Sequence, residues 1–338
     1  MIDRRRMLRH VFGLSASASA ACLGSTARKA FAQTNQAHPY PTRTVRIVTP
    51  FPPGSGPDAA LRLVSERLGR TWSQPVLVDN KPGGNGFIAV AAFKQGNSEG
   101  YDLIQLDNTH VTTHPLTFGK LPYDVAQDFA PLRMMLRTPF FVAVAADSPF
   151  NSIDDIVAAA KAAPGKINYG SWFIGSPGHL GALRLEAMMG IRMTHVPYRD
   201  FGQLYNAVST KEVDWALGSA ASAGGMAQSG KIRFIALAAA RRDPLYPNVP
   251  ATAEQPTTRG YEVTGWAGLF APRGIPAALA NKIAADIAAA LAAPEVVERY
   301  RALGFEAPDL DPAAFSQLIQ SETASWREII RTANLRLD

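Results

Sequence analysis

The chain has 338 residues, with 34 basic against 28 acidic side chains, a net charge of +6, one cysteine and 47% hydrophobic residues. That apolar fraction excludes a disordered chain, the lone cysteine excludes a disulfide framework or a cysteine-built zinc site, and the length suits one large or two medium domains. No apolar run reaches the roughly 18–20 residues of a membrane span, so the basic excess is the first feature to place.

It is local. Arg4, Arg5, Arg6 and Arg9 open the chain, a weakly apolar stretch over 10–24 follows, and Ala30-Phe31-Ala32 has the small-x-small form of a signal-peptidase site before Gln33. Residues 1–32 are therefore expected to be an export signal, and the expected location is the periplasm. The run from Asp3 to Arg9 is similar to the twin-arginine export motif, with Asp3 in place of Ser or Thr and Met7 in place of Phe. A lipoprotein cut before Cys22 is not expected, since Ser19-Ala20-Ala21 lacks the usual upstream Leu. Six basic residues and one acid fall in this segment, so the remainder is near +1 and no nucleic-acid partner is expected.

Then strand and helix patterns alternate. Val45-Arg46-Ile47-Val48 reads as a strand, 50–57 as a loop dense in Pro and Gly, and Leu61, Leu63, Val64 and Leu68 as one buried helix face. Pro57 pre-sets the first turn of that helix. Residues 76–78 and 101–106 are further strands, separated by a Gly-rich turn over 81–86 and a helix over 88–93. Residues 132–136 and 140–145 are extended. Ser152 caps a helix to Ala163, 167–169 is a strand, and a helix over 179–189 follows the loop ending at Pro177-Gly178. Residues 193–196, 213–217, 232–238 and 263–270 are extended, and after Pro276 the chain is helical, with Ile283, Ile287 and Leu291, then Phe315 and Ile319, on buried faces. This is an α/β pattern with mostly parallel sheets. The helical tail has no sheet of its own and is expected to return to the first lobe. The expected division is lobe 1 over 43–142 plus 266–338 and lobe 2 over 143–265, with a cleft between and hinges near Phe141 to Ala145 and Gly265 to Leu269.

Two loops can carry chemistry. Gly54-Ser55-Gly56-Pro57-Asp58-Ala59 fits G-x-G-x-x-A between a strand and a helix, and Asp79 ends the next strand. That is the dinucleotide fingerprint, so an exported NAD(P)-dependent oxidoreductase is the alternative reading. Pro52-Pro53 stiffens the turn and Pro57 removes an amide that a pyrophosphate would use. On either reading the loop offers free N–H groups and a helix dipole to an anion. The second loop, 170–179, places Ser171, Ser176 and the amides near Gly178 at another helix start; Ser176 reads equally as an N-cap. Trp172 and Phe173 suit a cleft wall or packing against the neighbouring lobe. Ser176 does not sit in G-x-S-x-G, and His110 and His114 lack the Glu of H-E-x-x-H. No catalytic residue, metal or cofactor is expected. His179 and His195 are expected to bond locally, and Asp58 to cap its helix or orient the loop.

Taken together, the residues from 43 onward resemble the Bug family of extracytoplasmic solute receptors, the TctC-like binding proteins of tripartite tricarboxylate transporters. The family's P-F-x-P-G-G-x-x-D stands as Pro50-Phe51-Pro52-Pro53-Gly54-Ser55-Gly56-Pro57-Asp58, and its N-R-P-G as Asn80-Lys81-Pro82-Gly83. L-P-Y-D-x-x-x-D-F-A-P is intact over 121–131, P-G-K-x-N over 164–168, H-V-P-Y over 195–198, G-K-I-R over 230–233 and G-L-F-A-P over 268–272. The stretch over 243–254 is similar to P-x-x-P-x-V-P-T-x-x-E.

The resemblance implies a two-lobed periplasmic binding protein fold, type II-like. It implies no catalysis, a small carboxylate in the cleft, a membrane permease as partner, and a monomer. By position it implies contacts from Phe51, Pro53, Gly54, Ser55, Gly56, Asp58, Phe87, Asn108 and Thr109 on one side, and from Ser171, Trp172, Phe173, Ser176, Gly178, His179, Tyr198 and Ser219 on the other. Departures cluster there. Ser55 replaces the family's second Gly, Phe87 an Asn, Ser171-Trp172-Phe173-Ile174-Gly175-Ser176 replaces S-S-G-N-G-T, Leu217-Gly218-Ser219 replaces F-D-N, and H-V-P-Y runs on into Arg199-Asp200. An aromatic or bulky carboxylate is therefore expected.

Overall fold

The computed structural model describes residues 40–96 and 99–337; the expected export signal lies outside the described residues. From Pro41 onward the chain forms one compact unit. Its elements run β1 Val45–Thr49, α1 Gly56–Trp72, β2 Val76–Asn80, α2 Phe87–Lys94, β3 Asp102–Asp107, α3 His114–Thr117, α4 Val125–Asp128 and β4 Phe129–Pro139. Next come β5 Phe141–Ala145, α5 Ile153–Ala162, β6 Asn168–Ser171, α6 Pro177–Met189, β7 Thr194–Pro197, α7 Phe201–Ser209, β8 Trp215–Gly218, α8 Ala220–Gln228 and β9 Ile232–Leu237. β10 Thr264–Pro272 and three helices, α9 Ala277–Leu291, α10 Pro294–Ala302 and α11 Pro312–Thr332, close the chain.

Two five-stranded sheets result, ordered β2-β1-β3-β10-β4 and β7-β6-β8-β5-β9. They follow one rule. β1 pairs in parallel with β2 and β3, and β6 with β7 and β8. Into each sheet one antiparallel strand is inserted, β10 between β3 and β4, and β5 between β8 and β9. The inserted strand is always the one arriving from the other sheet. β1 is buried along nearly its whole length, as a parallel strand covered on both faces must be. The edge strand β2 is only half-buried and exposes Leu77.

The two crossings are knitted to each other. The Phe140 amide donates to the Val263 carbonyl (3.0 Å), the Ala238 amide to the Phe140 carbonyl (2.8 Å), and the Val263 amide to the Ala238 carbonyl (3.0 Å). Strand pairing moves both expected boundaries a little toward the N-terminus. Phe141 and Val142, assigned from sequence to lobe 1, pair in the second sheet, whereas Gly265 pairs in the first. The stretches Phe141 to Ala145 and Gly265 to Leu269 are themselves paired strands, so the free links are Phe140 and the segment ending at Val263. A paired strand cannot change φ and ψ without breaking its ladder, which is why the links lie between the strands.

The helical tail returns to the first sheet. Trp72 Nε1 donates to Asp286 (2.7 Å), Arg133 Nε donates to the Ala284 carbonyl (3.1 Å), and Phe315 packs against Trp266 and Phe270. α11 also reaches the second lobe, where Trp326 and Ile330 cluster with Leu180 of α6. Glu322, one turn earlier, accepts both its bonds from Trp266 Nε1 (2.9 and 3.0 Å). Burial pushes its carboxyl up to about 7, against the hydrogen bond from Trp266 and the nearby charges of Arg184 on α6 and Arg137 on β4.

This gives a signed pH dependence. Between the ordinary glutamate value and about 7, the folded chain keeps a proton that the unfolded chain has lost. Stability therefore falls as pH rises through that window and is flat on either side. Glu322→Gln keeps an acceptor for Trp266 and removes the titration. Denaturant unfolding of both proteins at pH 5 and pH 8 should show the wild type losing on the order of 1–3 kcal/mol more than the variant. Parallel losses would show that Glu322 is ionised throughout.

Candidate ligand-binding site

The first loop is folded from within by Asp58. The β1 strand ends at Thr49, and the chain turns through Pro52, Pro53 and Gly54, whose φ of +80° is costly for any residue with a Cβ. Asp58 lies 1% exposed beneath the turn and accepts from the Gly54 amide (2.8 Å), Asn80 Nδ2 (2.7 Å) and Arg62 Nε (3.0 Å). Burial opposes ionisation, yet the bonds from Arg62, Asn80 and Gly54 hold its carboxyl below the usual range. The same Asn80 amide donates to the Phe51 carbonyl (2.9 Å). The motif Asp and the motif Asn thus brace one loop. Asp58, expected among the ligand contacts, is instead a buried anchor with no face left for a ligand.

What remains presented is backbone. Ser55 stands at the N-cap of α1 without a side-chain cap bond, because its hydroxyl donates to the Pro52 carbonyl (2.8 Å). Among the described residues the amides of Gly56 and Asp58 have no acceptor, and Pro57 has none to offer. Such a helix start attracts an anion. As a dinucleotide site it fits poorly, since Asp79 is held by Arg46 (3.5 Å) and Lys81 (3.3 Å).

Beside this loop lies an aromatic nest. After β3 the chain makes a π-helical turn, Thr109–Thr113. His110 pairs with Asp107, and His114 Nδ1 lies 3.2 Å from the Tyr123 hydroxyl, which donates to the His110 carbonyl (2.6 Å). Burial acts to raise the Asp107 carboxyl, but the charge and bonds of His110 hold it low. Phe87 packs edge-on to His114, Phe118 and Tyr123. The two histidines do come together, 5.3 Å between rings, but no metal-holding group of His, Cys, Asp or Glu exists among the described residues. Asn108 Nδ2 donates to the Thr264 carbonyl (3.2 Å) at the second crossing. Asn108 Oδ1 and Thr109 Oγ1 are buried without a partner among the described residues.

In the second lobe several expected contacts turn inward. Ser171 is fully buried, its hydroxyl donating to the Phe173 carbonyl (2.9 Å) and lying 2.8 Å from His195 Nε2. Ser176, also fully buried, caps α6 by accepting from the His179 amide (3.3 Å). His179 Nδ1 accepts from the Gly175 amide (2.9 Å), and its ring stacks 3.8 Å from that of His195. Burial pushes the two imidazoles down to about 3 and about 4, so both are neutral and can stack without repulsion. Gly178 is buried, and a Cβ there would come 2.6 Å from the Trp172 ring. The Tyr198 hydroxyl donates to Glu212 (3.0 Å). Ser219 caps α8 by accepting from the Ser222 amide (3.3 Å). Serine at a helix start is read equally well as cap or contact, and here the cap prevails. Of the aromatic pair, Trp172 is half-buried against Phe140 and Phe201, whereas Phe173 is 40% exposed.

The sequence reading missed the residues that join the two sides. Gly304 and Phe305, in the turn after α10, lie between α1 and α8: a Cβ at Gly56 would sit 2.9 Å from Phe305 Cζ, and one at Gly304 would sit 3.0 Å from Ala220 Cβ. The same turn pairs with the end of β4, Arg137 and Glu306 exchanging both backbone bonds (2.8 Å each). Only the Gly-Phe pair breaking the helical tail between α10 and α11 could have signalled this.

Residues 60–335 match the family model described as the tripartite tricarboxylate transporter family receptor. The chain belongs to this family. Among relatives of this receptor, a Pseudomonas sp. (strain P51) protein, the UPF0065 protein in the tcbD-tcbE intergenic region, is 31% identical over 291 residues, covering 86% of each chain. BugT of Bordetella pertussis is 26% identical over 310 residues, 88% of this receptor and 91% of BugT. An R. palustris protein solved with adipate superposes with a TM-score of 0.77 at 28% identity, over 88% of this receptor and 99% of that chain. MatC of Rhodopseudomonas palustris with bound malate gives 0.73 at 27%, over 86% and 100%. The two-lobed fold is that of periplasmic binding proteins, and the family's members are solute receptors, not enzymes.

Removing the anchor should loosen the loop. Asp58→Ala leaves the Gly54 amide and Asn80 without their acceptor, and urea unfolding should show a loss of about 2–3 kcal/mol. Asp58→Asn, which keeps acceptor oxygen but not charge, should lose about half as much. Equal stability of all three proteins would show that the loop holds itself.

Proposed function

We propose that this receptor captures a small organic carboxylate between its two sheets, in the periplasm, and hands it to a membrane permease. The observation that carries the ligand class is the α1 N-terminus: unpartnered amides at Gly56 and Asp58, no side-chain cap, and an anchor acid turned inward and neutralised. A carboxylate accepts from such amides without needing a buried cation. The adipate and malate of the two R. palustris structures support this class. Phe51, Pro53, Gly54, Ser55 and Gly56 are the first-lobe contacts, with Phe87 at their flank and Asn108 and Thr109 nearby. Phe173 and the half-buried Trp172 supply apolar surface on the other side, which favours an aromatic or bulky acid over a small hydroxy acid. Closure is a hinge motion at Phe140 and Val263, where the crossings are unpaired with either sheet's neighbours but bonded to each other.

Export by the twin-arginine route and a monomeric state belong to the same proposal. Loss of export on replacing Arg4 and Arg5 together by Lys, with the route's accessory proteins present, is the expected outcome for the first.

Isothermal titration of benzoate, terephthalate and nicotinate against succinate and citrate tests the ligand class. The aromatic acids should bind at least tenfold more tightly than succinate. Gly56→Val, which forces the Phe305 ring to move, should weaken the best of them at least tenfold with little change in Tm. Binding of small aliphatic acids alone would sink the bulky-ligand reading, and binding of none of the five would sink the carboxylate reading.

A further inference from the structure

A chamber of about 1150 Å³ opens between the lobes on the side of β4 and β9. It contains none of the contacts expected from sequence. Its first-lobe wall carries an apolar strip, Ala288 and Leu291 of α9, Ala292 just after it and the half-exposed Val297 of α10, beside charged residues of β4, α10 and the segment 306–309. Its second-lobe wall is the segment 239–245 that follows β9. Phe305 and Gly304 line it too, and these are the residues that touch Gly56 and Ala220 at the helix starts. The chamber therefore begins where the anion-holding loop ends, one phenyl ring away.

Five arginines line this space against four acids. Three are spent: Arg133 on Asp309 (2.6 Å), Arg137 on Glu306 (2.8 Å) and Arg242 on Glu254 (2.7 Å), which lies off the chamber. Arg241 of the second lobe and Arg301 of α10 have no carboxylate partner among the described residues. Of the two remaining acids, Asp243 accepts from the Leu245 amide (2.8 Å) within its own turn, and Glu262 is exposed. Tyr300, on the same wall, has a buried hydroxyl without a partner. Two solvent-exposed guanidinium groups without a carboxylate partner among the described residues, one on each lobe beside an apolar strip, suit an acidic group at the far end of an organic chain.

We propose that this chamber is a second anion subsite, taking the distal acid of an elongated dicarboxylate whose first carboxylate lies at the start of α1, with Phe305 as the partition that sets the length accepted. The inference rests on the carboxylate reading above and adds the ligand's shape and second charge. A dicarboxylate too short to pass Phe305 gains nothing from Arg241 or Arg301. A monocarboxylate of matching length gains the apolar wall alone.

The test is calorimetric titration of succinate, adipate, suberate and octanoate into the wild type, an Arg241→Ala/Arg301→Ala double variant and Phe305→Ala. For the wild type, suberate should bind at least tenfold more tightly than both succinate and octanoate. In the double variant the suberate-to-octanoate affinity ratio should fall at least tenfold. Phe305→Ala should narrow the gap between succinate and suberate. A double variant with an unchanged ratio, at unchanged Tm, overturns the subsite while leaving the carboxylate reading intact, because binding itself persists. A wild type that binds none of the four overturns both.

Discussion

The exchange of one strand between the two sheets is the constraint on which the rest depends. Each sheet closes its order only with the antiparallel strand supplied by the other half of the chain, β10 in one and β5 in the other. A lobe cut out of this chain would therefore lack an interior strand and leave two unpaired ladders, which is costly in a buried sheet. The same exchange fixes where the proposed hinge lies. Both crossings must leave from neighbouring strands at the same edge, so they run side by side, and their carbonyls and amides satisfy one another at Phe140, Ala238 and Val263. It also fixes where the proposed site lies. Strands that run parallel end at one edge of each sheet, and the helices that follow them start there, so helix N-termini collect at the space between the lobes.

Collecting positive helix ends makes an anion site without a cation, but it raises a problem of its own. An acid two residues inside α1 sits where the proposed ligand's charge would go. The chain resolves it by direction. Asp58 points under the loop, where Gly54, Asn80 and Arg62 supply three donors, and its charge is offset locally. The same residue thereby shapes the turn that presents the Gly56 amide. On the other side, the neutral stack of His179 and His195 does the corresponding work, holding Gly175 and Ser171 without placing a cation in the loop.

Much of this was legible in the sequence because the pattern is local. The proline- and glycine-dense turn, the Asp two residues after Gly56 and the apolar helix face predict a strand, loop and helix with an anion-competent start, and the structure has them. The L-P-Y-D run also acquires a local meaning: Tyr123 holds the His110 carbonyl, and Asp124 caps α4 by accepting from the Ala126 and Gln127 amides. What sequence could not resolve was direction. Ser171, Ser176 and Ser219 stand at helix starts or strand ends, where a hydroxyl either faces a ligand or satisfies the backbone. The choice depends on partners such as His195, 24 residues away. Gly304 and Phe305 were illegible for a stronger reason. Their role comes from a contact with Gly56 that spans some 250 residues of chain, and no spacing rule carries that far.

The turn at Gly304 and Phe305 also stands where the two lobes meet. It belongs by its backbone pairing to β4 of the first sheet, yet it touches α8 of the second. A Cβ at Gly304 would lie only 3.0 Å from Ala220 Cβ, so the turn and the start of α8 are closely packed. On the proposed reading, a ligand that displaces the Phe305 ring acts on the surface where the lobes meet. A receptor that must release its cargo gains from this arrangement: amides and a movable ring hold an acid reversibly, whereas a buried, permanently paired cation would hold it by a charge that reopening alone does not dilute.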